Sequence, residues 1–269
     1  MTNLEIEKAY VGNTQVEKIY LGADVIYEST PPIPVIWNDE LRFDILSAGT
    51  IQFAKSASTT PTVVVEYSLD GVNWTSYTSS TTPLQIQVNA GDTVLFRGDN
   101  PSGMTKNTFY GTTALFNVRG YLMSIINSTW FTTASGPIYA SSFHSLFQYT
   151  NVVDASQLII PPANCSGDTN NYYSRFMQDC PYLTTSPVIP AGIYDTKANT
   201  YFAMFSGDTN LTQITSLGYG NSLACKYWVS GVAASGTFYK NPNVTVGSGG
   251  WSTGSSGIPS GWTVLDYNG

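Results

Sequence analysis

Apolar and polar residues alternate with a period of two over much of residues 35–119, and this pattern predicts β-strands. Glycine-containing turns at Asp70-Gly71 and at 89–92 separate the alternating runs. Short strands at this spacing predict an antiparallel β-sandwich over residues 35–120. The apolar positions of the runs are Leu41, Phe43 and Ile45, then Val63, Val65 and Tyr67, then Leu84, Ile86 and Val88, then Val94 and Phe96.

Trp74 and Tyr77 follow the first of these turns and leave two interpretations open. Trp74 is a candidate core or inter-sheet residue, because aromatic side chains in alternating strands usually pack. The alternative is that both rings form a platform on which a sugar stacks. The sequence does not decide between packing and binding.

A second apolar pattern recurs every 28 to 30 residues within 121–240, and a period of this length predicts a solenoid. Three copies align at 146–163, 176–191 and 204–217. A short helix or turn is predicted before each copy, around 139–145, 170–175 and 197–203. One unit cannot bury its apolar positions alone, so stacked units are expected to share a core. The predicted core residues are Phe147, Val153, Met177, Cys180, Leu183, Phe205 and Leu211.

Residues 1–30 contain a ten-residue unit in two copies, which start at Tyr10 and at Tyr20. Each copy predicts a strand, a glycine turn and a second strand. A lone hairpin is marginal in water, so this β module is expected to pack on a neighbour or a larger assembly. The Pro-rich segment 31–34 predicts a stiff linker behind the module. The alternative is an ordinary first β-meander of the following domain.

Composition favours a surface-exposed β-protein, since only 11% of residues are charged and Tyr, Ser, Thr, Asn and Gly are abundant. Glu5, Glu7 and Lys8 interrupt the place where a signal-peptide core of about 7 to 15 apolar residues would lie. No run approaches the ~18 apolar residues of a membrane span. We therefore expect synthesis in the cytoplasm without a signal peptide, although a chain trimmed of its signal would have the same composition.

Charge and cysteine content exclude further classes. A net charge of −7 argues against nucleic acid as a partner. The three cysteines, Cys165, Cys180 and Cys225, form no C-x-x-C pair and predict small buried residues, with one disulfide plus a leftover thiol as the alternative.

No metal ion or cofactor is expected. The aspartates near glycine, Asp70, Asp92 and Asp99, do not match a calcium-binding loop and predict Asx turns. The single histidine, His144, stands among apolar residues and predicts a core or capping role. The glycines between 247 and 257 predict a flexible loop, because no phosphate-loop ending follows them.

An enzyme of this composition would be a glycan depolymerase that uses paired carboxylates. Its candidates would be aspartates scattered one or two per repeat, which fit solvated turns better. The sequence therefore favours a protein that is not an enzyme. The candidate aspartates are Asp154, Asp168, Asp179, Asp195 and Asp208.

The segment 18–27, KIYLGADVIY, resembles the "KIYLGxxxVY" leader found at the N-termini of many tailed-phage structural proteins. The resemblance implies that the N-terminal module attaches the chain to the virion. The residues then expected to dock are Tyr10, Val11, Gly12, Tyr20, Leu21 and Gly22.

The segment 180–191 resembles the BspA-like leucine-rich repeat, in the variant M-F-x-x-C-x-x-L-T-x-x-P-x-L-P-A. Thr150 and Asp208 stand where the other two copies would have the cysteine. Residues 228–232, 236–241 and 257–264 are similar to the segment that closes such arrays, and 69–74 is similar to a strand motif found upstream of them. The resemblance implies a leucine-rich-repeat-like domain over 121–240 and a C-terminal cap over 241–269.

Together these resemblances imply a phage head or tail fibre. Such a protein docks on capsid or tail proteins through its N-terminus and presents an adhesive domain to a host surface protein or glycan. A homotrimer or higher oligomer is expected, with the trimer favoured, because a fibre gains strength from multivalency. The alternatives are a bacterial leucine-rich-repeat surface adhesin and a glycan depolymerase.

Overall fold

A computed structural model describes residues 40–129, 131–132, 141–163, 171–192, 197–247 and 250–268, together with the backbone of four short strands between residues 10 and 28. The chain divides into two compact units, Met1–Trp37 and Asn38–Gly269. Helix in the described residues is confined to one 3-10 turn, Leu122–Ile125. The predicted mainly β fold is therefore confirmed. Within the same residues, no helix has the length and apolarity needed to cross a membrane.

Each copy of the N-terminal ten-residue unit forms a hairpin. Strand β1 (Tyr10–Val11) pairs antiparallel with β2 (Thr14–Gln15), and β3 (Lys18–Leu21) pairs antiparallel with β4 (Asp24–Glu28). The strands of each pair are separated by the short glycine segments that predicted the turns. Gly12 and Gly22 themselves lie outside the described residues.

The second unit contains two β-sheets. A ten-stranded sheet has the order β17-β16-β15-β14-β13-β12-β5-β10-β7-β8, and a three-stranded sheet has the order β11-β6-β9. The bounds are β5 Leu41–Ile45, β6 Gly49–Lys55, β7 Val64–Ser68, β8 Thr75–Thr78, β9 Leu84–Val88, β10 Thr93–Arg97, β11 Asn107–Thr108, β12 Phe116–Tyr121, β13 Val152–Ile159, β14 Thr185–Ile189, β15 Gln213–Ser216, β16 Thr237–Lys240 and β17 Thr263–Asp266.

The large sheet changes from antiparallel to parallel pairing at β12. On one side β12 pairs antiparallel with β5, and on the other it pairs parallel with β13. All later neighbours, from β13 to β17, are parallel. Parallel neighbours need a long connection between them, and here each connection winds once around a shared core. The result is a β-solenoid of about 4 turns, as the repeat period predicted.

The other side of each solenoid turn consists of stacked turns. The stacked turns form four ladder segments, 141–149, 172–179, 198–207 and 222–231. In the first three, alternate N–H groups bond the next segment and the remaining ones bond three residues back. Phe143 N–H donates to Tyr172 O at 3.0 Å, and His144 N–H donates to Ser141 O at 3.2 Å. Every fourth residue takes a left-handed conformation, with φ of 61° at Ser145 and 58° at Tyr149.

Left-handed backbone costs a non-glycine residue roughly 1–2 kcal/mol. It persists here because the stacked segments satisfy the backbone hydrogen bonds on both sides. The segments predicted as a short helix or turn are therefore turns in the described residues.

One hydrophobic core joins the sheets to the solenoid. The ring of Phe43 on β5 lies 4.8 Å from that of Phe109 and 5.9 Å from that of Phe147 in the first ladder segment. Phe147 continues the chain of contacts to Phe176 in the second ladder segment, at 5.3 Å. Residues from both sheets and from every ladder segment therefore share one buried cluster.

The structure buries most of the predicted repeat-core residues completely. Val153, which was expected in the core, is only partly buried, and its neighbour Val152 is fully buried instead. Successive side chains on a strand point to opposite faces, so the register of β13 admits only one of the two valines. The fully buried residues are Phe147, Met177, Cys180, Leu183, Phe205 and Leu211.

The cysteine position of the repeat is occupied without a break in the stack. The Thr150 hydroxyl oxygen lies 3.5 Å from the Cys180 sulfur, and Cys180 N–H donates to Asp208 Oδ1 at 2.7 Å. Thr150 and Cys180 also both donate to the carbonyl of Phe147, at 2.8 and 3.0 Å. Thr150, Cys180 and Asp208 therefore occupy the same position in successive turns and are connected by hydrogen bonds.

Two loops of identical hydrogen bonding occupy part of the glycine-rich segment that predicted a flexible loop. Trp251 N–H donates to Thr245 O at 2.9 Å, and seven residues later Ile258 N–H donates to Ser252 O at 2.8 Å. The Trp251 ring also stacks on Trp228 at 5.2 Å. The described part of this segment is therefore closely bonded to the end of the solenoid.

Candidate functional site

A large cleft in the described residues lies where the three-stranded sheet meets the first two ladder segments. It has a volume of about 560 Å³, which is within the range of small-ligand sites. Strands β6 and β11 form one wall, and the ladder segments form the other. Its lining residues are Gln52, Ala54, Lys55, Ser56, Thr81, Pro83, Lys106, Thr108, Tyr110, His144, Ser145, Gln148, Tyr149 and Arg175.

The described lining of this cleft is cationic. Lys55, Lys106 and Arg175 belong to it, and no Asp or Glu is among its described residues. The chain has 11 Lys and Arg residues against 18 Asp and Glu, so a site with three cations and no carboxylate departs from the overall charge. Such a local excess of one sign concentrates counter-ions of the other sign, here anions.

The pKa of His144 is lowered by its surroundings in the cleft. Burial, with the positive charges of Lys106 and Arg175, lowers the pKa of His144 from 6.5 to about 4. The imidazole is therefore neutral near pH 7, where it offers one hydrogen-bond donor and one acceptor. The positive charge of the cleft at that pH comes from the two lysines and the arginine.

Two exposed tyrosines stand at the edge of the cleft. Tyr110 is 61% exposed and Tyr149 is 50% exposed, and their ring centroids are 5.7 Å apart in an edge-to-face arrangement. Tyr149 is fixed by the ladder, where its N–H donates to Gln178 O at 3.0 Å. A rigid exposed tyrosine offers a large contact area at a low cost in conformational entropy.

Uncharged polar groups complete the lining. Gln148 Nε2 donates to Gln178 Oε1 at 2.9 Å, which orients the Gln148 amide. Gln52 lies on the opposite wall with the hydroxyls of Ser56 and Thr108. These amides and hydroxyls can both donate and accept hydrogen bonds, so the cleft suits a polar ligand that carries several hydroxyl groups.

A smaller polar cleft of about 110 Å³ lies on the sheet where β12 meets β13. Asp44, Arg119 and Asp154 line it. Arg119 contacts Asp44, which also accepts a hydrogen bond from Arg42 Nε at 2.6 Å. Its charged groups therefore already neutralise one another in part.

Two of the aspartates that sequence reasoning offered for a depolymerase, Asp179 and Asp208, lie close enough for their charges to interact. Asp154 lies on β13 and accepts hydrogen bonds from Ser156, whereas Asp179 belongs to the second ladder segment. Asp208 is fully buried, and that burial raises its pKa well above the ordinary value. Asp168 and Asp195 lie outside the described residues.

Of the three predicted Asx turns, the hydrogen bonds show the one at Asp70, whereas Asp92 accepts from Asn89 N–H and Asp99 accepts from Ser128. Asp70 Oδ1 accepts hydrogen bonds from the N–H groups of Val72 and Asn73, and these bonds together with the Asn73 side chain hold the pKa of Asp70 well below its usual value. No group of three or more metal-ligating side chains occurs among the described residues. Cys180 and Cys225 are buried, as predicted, and Cys165 lies outside the described part of the chain.

Trp74 and Tyr77 are both partly buried. The Arg97 guanidinium lies 3.9 Å from the centre of the Trp74 ring and covers one face of it. Tyr77 packs edge-on against Phe53, and its hydroxyl donates to Thr82 O at 2.7 Å.

Sequence reasoning placed the candidate chemistry elsewhere and missed the cleft. Of its lining residues only His144 was singled out, and it was assigned a core or capping role. Lys55, Lys106 and Arg175 are far apart in the sequence, so no local motif joins them. The residues expected to dock to the virion lie in the first unit, whose side chains are outside the described part.

Comparison with known proteins gives no relative: no family model, no curated protein and no solved structure matches the chain.

Proposed function

We propose that the chain is a structural protein of a tailed-phage particle, a head or tail fibre that docks through residues 1–30 and carries adhesion on its second unit. The observation that carries the proposal is the division of the chain into a hairpin unit, Met1–Trp37, and a much larger second unit. A protein that attaches at one end and binds at the other needs this separation.

The hairpin unit supports the docking half of the proposal. Its strands, Tyr10–Val11 to Asp24–Glu28, are two to five residues long and pair only within each hairpin in the described residues. Isolated two-stranded hairpins are marginal in water, so a binding partner would supply stability that they lack. The resemblance of residues 18–27 to the phage leader names the class of that partner.

The second unit supports the adhesive half. We take the two sheets over 35–120 as a β-sandwich, the parallel part over 121–240 as a leucine-rich-repeat-like solenoid, and residues 241–269 as its cap. A rigid scaffold of this kind holds exposed side chains at fixed positions, which is what a weak surface contact requires. The exposed pair Tyr110 and Tyr149 beside the large cleft is such a set.

Adhesion by a fibre gains strength from repetition. Several copies on one particle act at a high effective concentration, so each site can be weak while the particle adheres firmly. We therefore propose a homotrimer, with contacts to capsid or tail proteins through the first unit. The proposed role involves no catalysis.

The proposal is tested by adsorption of particles to host cells. Particles assembled without this chain are compared with particles carrying it, and free phage is counted over time. We expect slower adsorption without the chain and recovery when the full chain is supplied during assembly. Equal adsorption, with the chain missing from purified wild-type particles, would contradict the proposal and favour a bacterial surface adhesin.

A further inference from the structure

We infer that the large cleft between β6, β11 and the ladder segments binds an acidic glycan, a sugar chain bearing carboxylate or sulfate groups. This inference rests on the adhesive role proposed above and names the chemical class of its ligand. The described lining of the cleft combines three cations without a carboxylate, a pair of exposed tyrosines, and a wall of amide and hydroxyl groups.

The cations of the cleft are available to a ligand. In the described part of the chain, carboxylates pair with other cations: Arg97 pairs with Glu66 at 2.7 Å, and Lys240 pairs with Asp266. None of the three cleft cations takes part in an ion pair among the described residues. Lys55 donates to the neutral Thr62 hydroxyl at 3.2 Å and keeps its full charge.

The position of Arg175 also favours a ligand contact. It lies in the second ladder segment with a left-handed φ of 56°, and its N–H donates to Phe202 O at 2.7 Å. The guanidinium lies 5.5 Å from the Phe202 ring, which supports it at the exposed surface of the ladder. A guanidinium held in this way can form two parallel hydrogen bonds to a carboxylate or a sulfate.

The lowered pKa of His144 agrees with this electrostatic picture. Lys106 and Arg175 both disfavour a proton on His144, so the two cations act on the same point of the cleft. An anion placed there would meet both of them. The anion could therefore be bound near pH 7 without a proton on His144.

The uncharged groups favour a sugar over a small inorganic anion. A cleft of about 560 Å³ is larger than a single phosphate or sulfate needs. Gln52 and Gln148 stand on opposite walls and can bond hydroxyl groups from both sides. Tyr110 and Tyr149 offer apolar ring surface with polar tips, which matches a sugar ring that has apolar and hydroxyl-bearing faces.

Nucleic acid fits this site less well, although nucleic-acid sites also combine cations with aromatic rings. Affinity for a phosphate backbone grows with the number of phosphates neutralised, and this cleft supplies three cations on a chain of net charge −7.

Binding is measured by calorimetry on the full chain, with three defined sugar probes and with polyglutamate and oligo-dT as polyanions that are not sugars. Oligogalacturonides carry carboxylates, chondroitin sulfate oligosaccharides carry carboxylates and sulfates, and maltohexaose is neutral. We expect at least one acidic probe to bind, more weakly as salt is raised, and maltohexaose to bind at least about tenfold more weakly.

The cleft is assigned by a matched pair of double variants. Lys106→Gln with Arg175→Gln removes two cleft cations and should weaken acidic-probe binding at least about tenfold. Lys197→Gln with Lys226→Gln makes the same change of charge outside the cleft and should leave affinity within about twofold. Lys226 is a close match to Arg175, because it also lies in a ladder segment against an aromatic ring, Tyr227, at 5.3 Å.

Tyr110→Ser tests the aromatic part with an exposed residue outside the ladder, so its effect does not depend on ladder folding. It should weaken binding of both acidic and neutral probes by about the same factor.

Four results would overturn the inference. These are no binding of either acidic probe at millimolar concentration, equal binding of maltohexaose, equal losses in the two double variants, and tighter binding of polyglutamate or oligo-dT than of the sugars. The double variants also separate this inference from the fibre proposal. Particles carrying the cleft variant should still contain the chain, so lost incorporation would count against the docking role alone.

Discussion

Replacing Phe147 by alanine should destabilise the whole second unit, because this ring connects the core of the sheets to the core of the solenoid. Phe147 is fully buried. Its ring stacks on Phe109 at 5.4 Å and contacts Phe43 and Phe176 at 5.9 and 5.3 Å. The substitution removes all three contacts and leaves a cavity.

Truncation of a buried phenylalanine to alanine typically costs about 3–5 kcal/mol, which combines lost burial with the residual cavity. In a unit of this size, each kcal/mol lowers the melting temperature by about 2–4 °C. We therefore expect Phe147→Ala to lower it by roughly 10 °C. The matched control is Tyr182→Ala, because Tyr182 is 48% exposed and its loss should cost less than about 1 kcal/mol.

The assay is thermal and urea unfolding of the full chain, followed by circular dichroism and tryptophan fluorescence. One cooperative transition is expected for the second unit in the parent chain and in both variants, since the core is continuous. A loss below about 1 kcal/mol in Phe147→Ala, or separate melting of sheets and solenoid in the parent, would refute the reasoning.

Three further predictions concern stability and reactivity. Burial raises the pKa of Asp208, so its stabilising contribution is complete below the unfolded value near 3.8 and is lost as pH rises through the folded value. Asp208→Asn keeps the acceptor for Cys180 N–H and removes the ionisable carboxyl group. Its free energy of unfolding should therefore exceed that of the parent at pH 8, by about 1.4 kcal/mol for each unit by which the pKa is raised, and the difference should be smaller at pH 3. Equal stability of the two chains at both pH values would contradict this. Burial also raises the pKa of the Cys180 thiol, so iodoacetamide should label Cys180 only after unfolding, as peptide mass spectrometry can check; rapid native labelling would be inconsistent with its burial. Gly250→Ala should cost about 1–3 kcal/mol in urea unfolding, because the added methyl group would overlap the Thr245 carbonyl oxygen, whereas Ser255→Ala, at an exposed position of the second loop, should cost less; equal losses would contradict the loop geometry.

The local sequence pattern correctly predicted individual strands and the buried positions of the repeats. Alternation found the strand containing Leu41, Phe43 and Ile45, and the repeat period found the buried levels marked by Met177 and Phe205. The pattern placed Val153 in the core instead of Val152, because β13 begins at a valine pair and its register depends on its neighbours. It also could not show the stacked turns, since their left-handed residues include Tyr149, a type that gives no local signal for that conformation.

The cleft was beyond local pattern for a different reason. Lys55 comes from β6, Lys106 precedes β11, and Arg175 belongs to a ladder segment, so only the folded topology brings them together. The sequence showed a net negative chain, and from that total a cationic site would not be expected. The arrangement of charge in space, which composition averages away, carries the information about the ligand.

The docking role of the first unit is tested most directly by incorporation into particles. The full chain and a chain lacking residues 1–30 are expressed during infection, and gradient-purified particles are quantified by mass spectrometry. The account predicts that only the full chain is found in the particles, while the shortened chain remains folded in the lysate and still binds an acidic glycan. Equal incorporation of both chains, or absence of both from the particles, would contradict it.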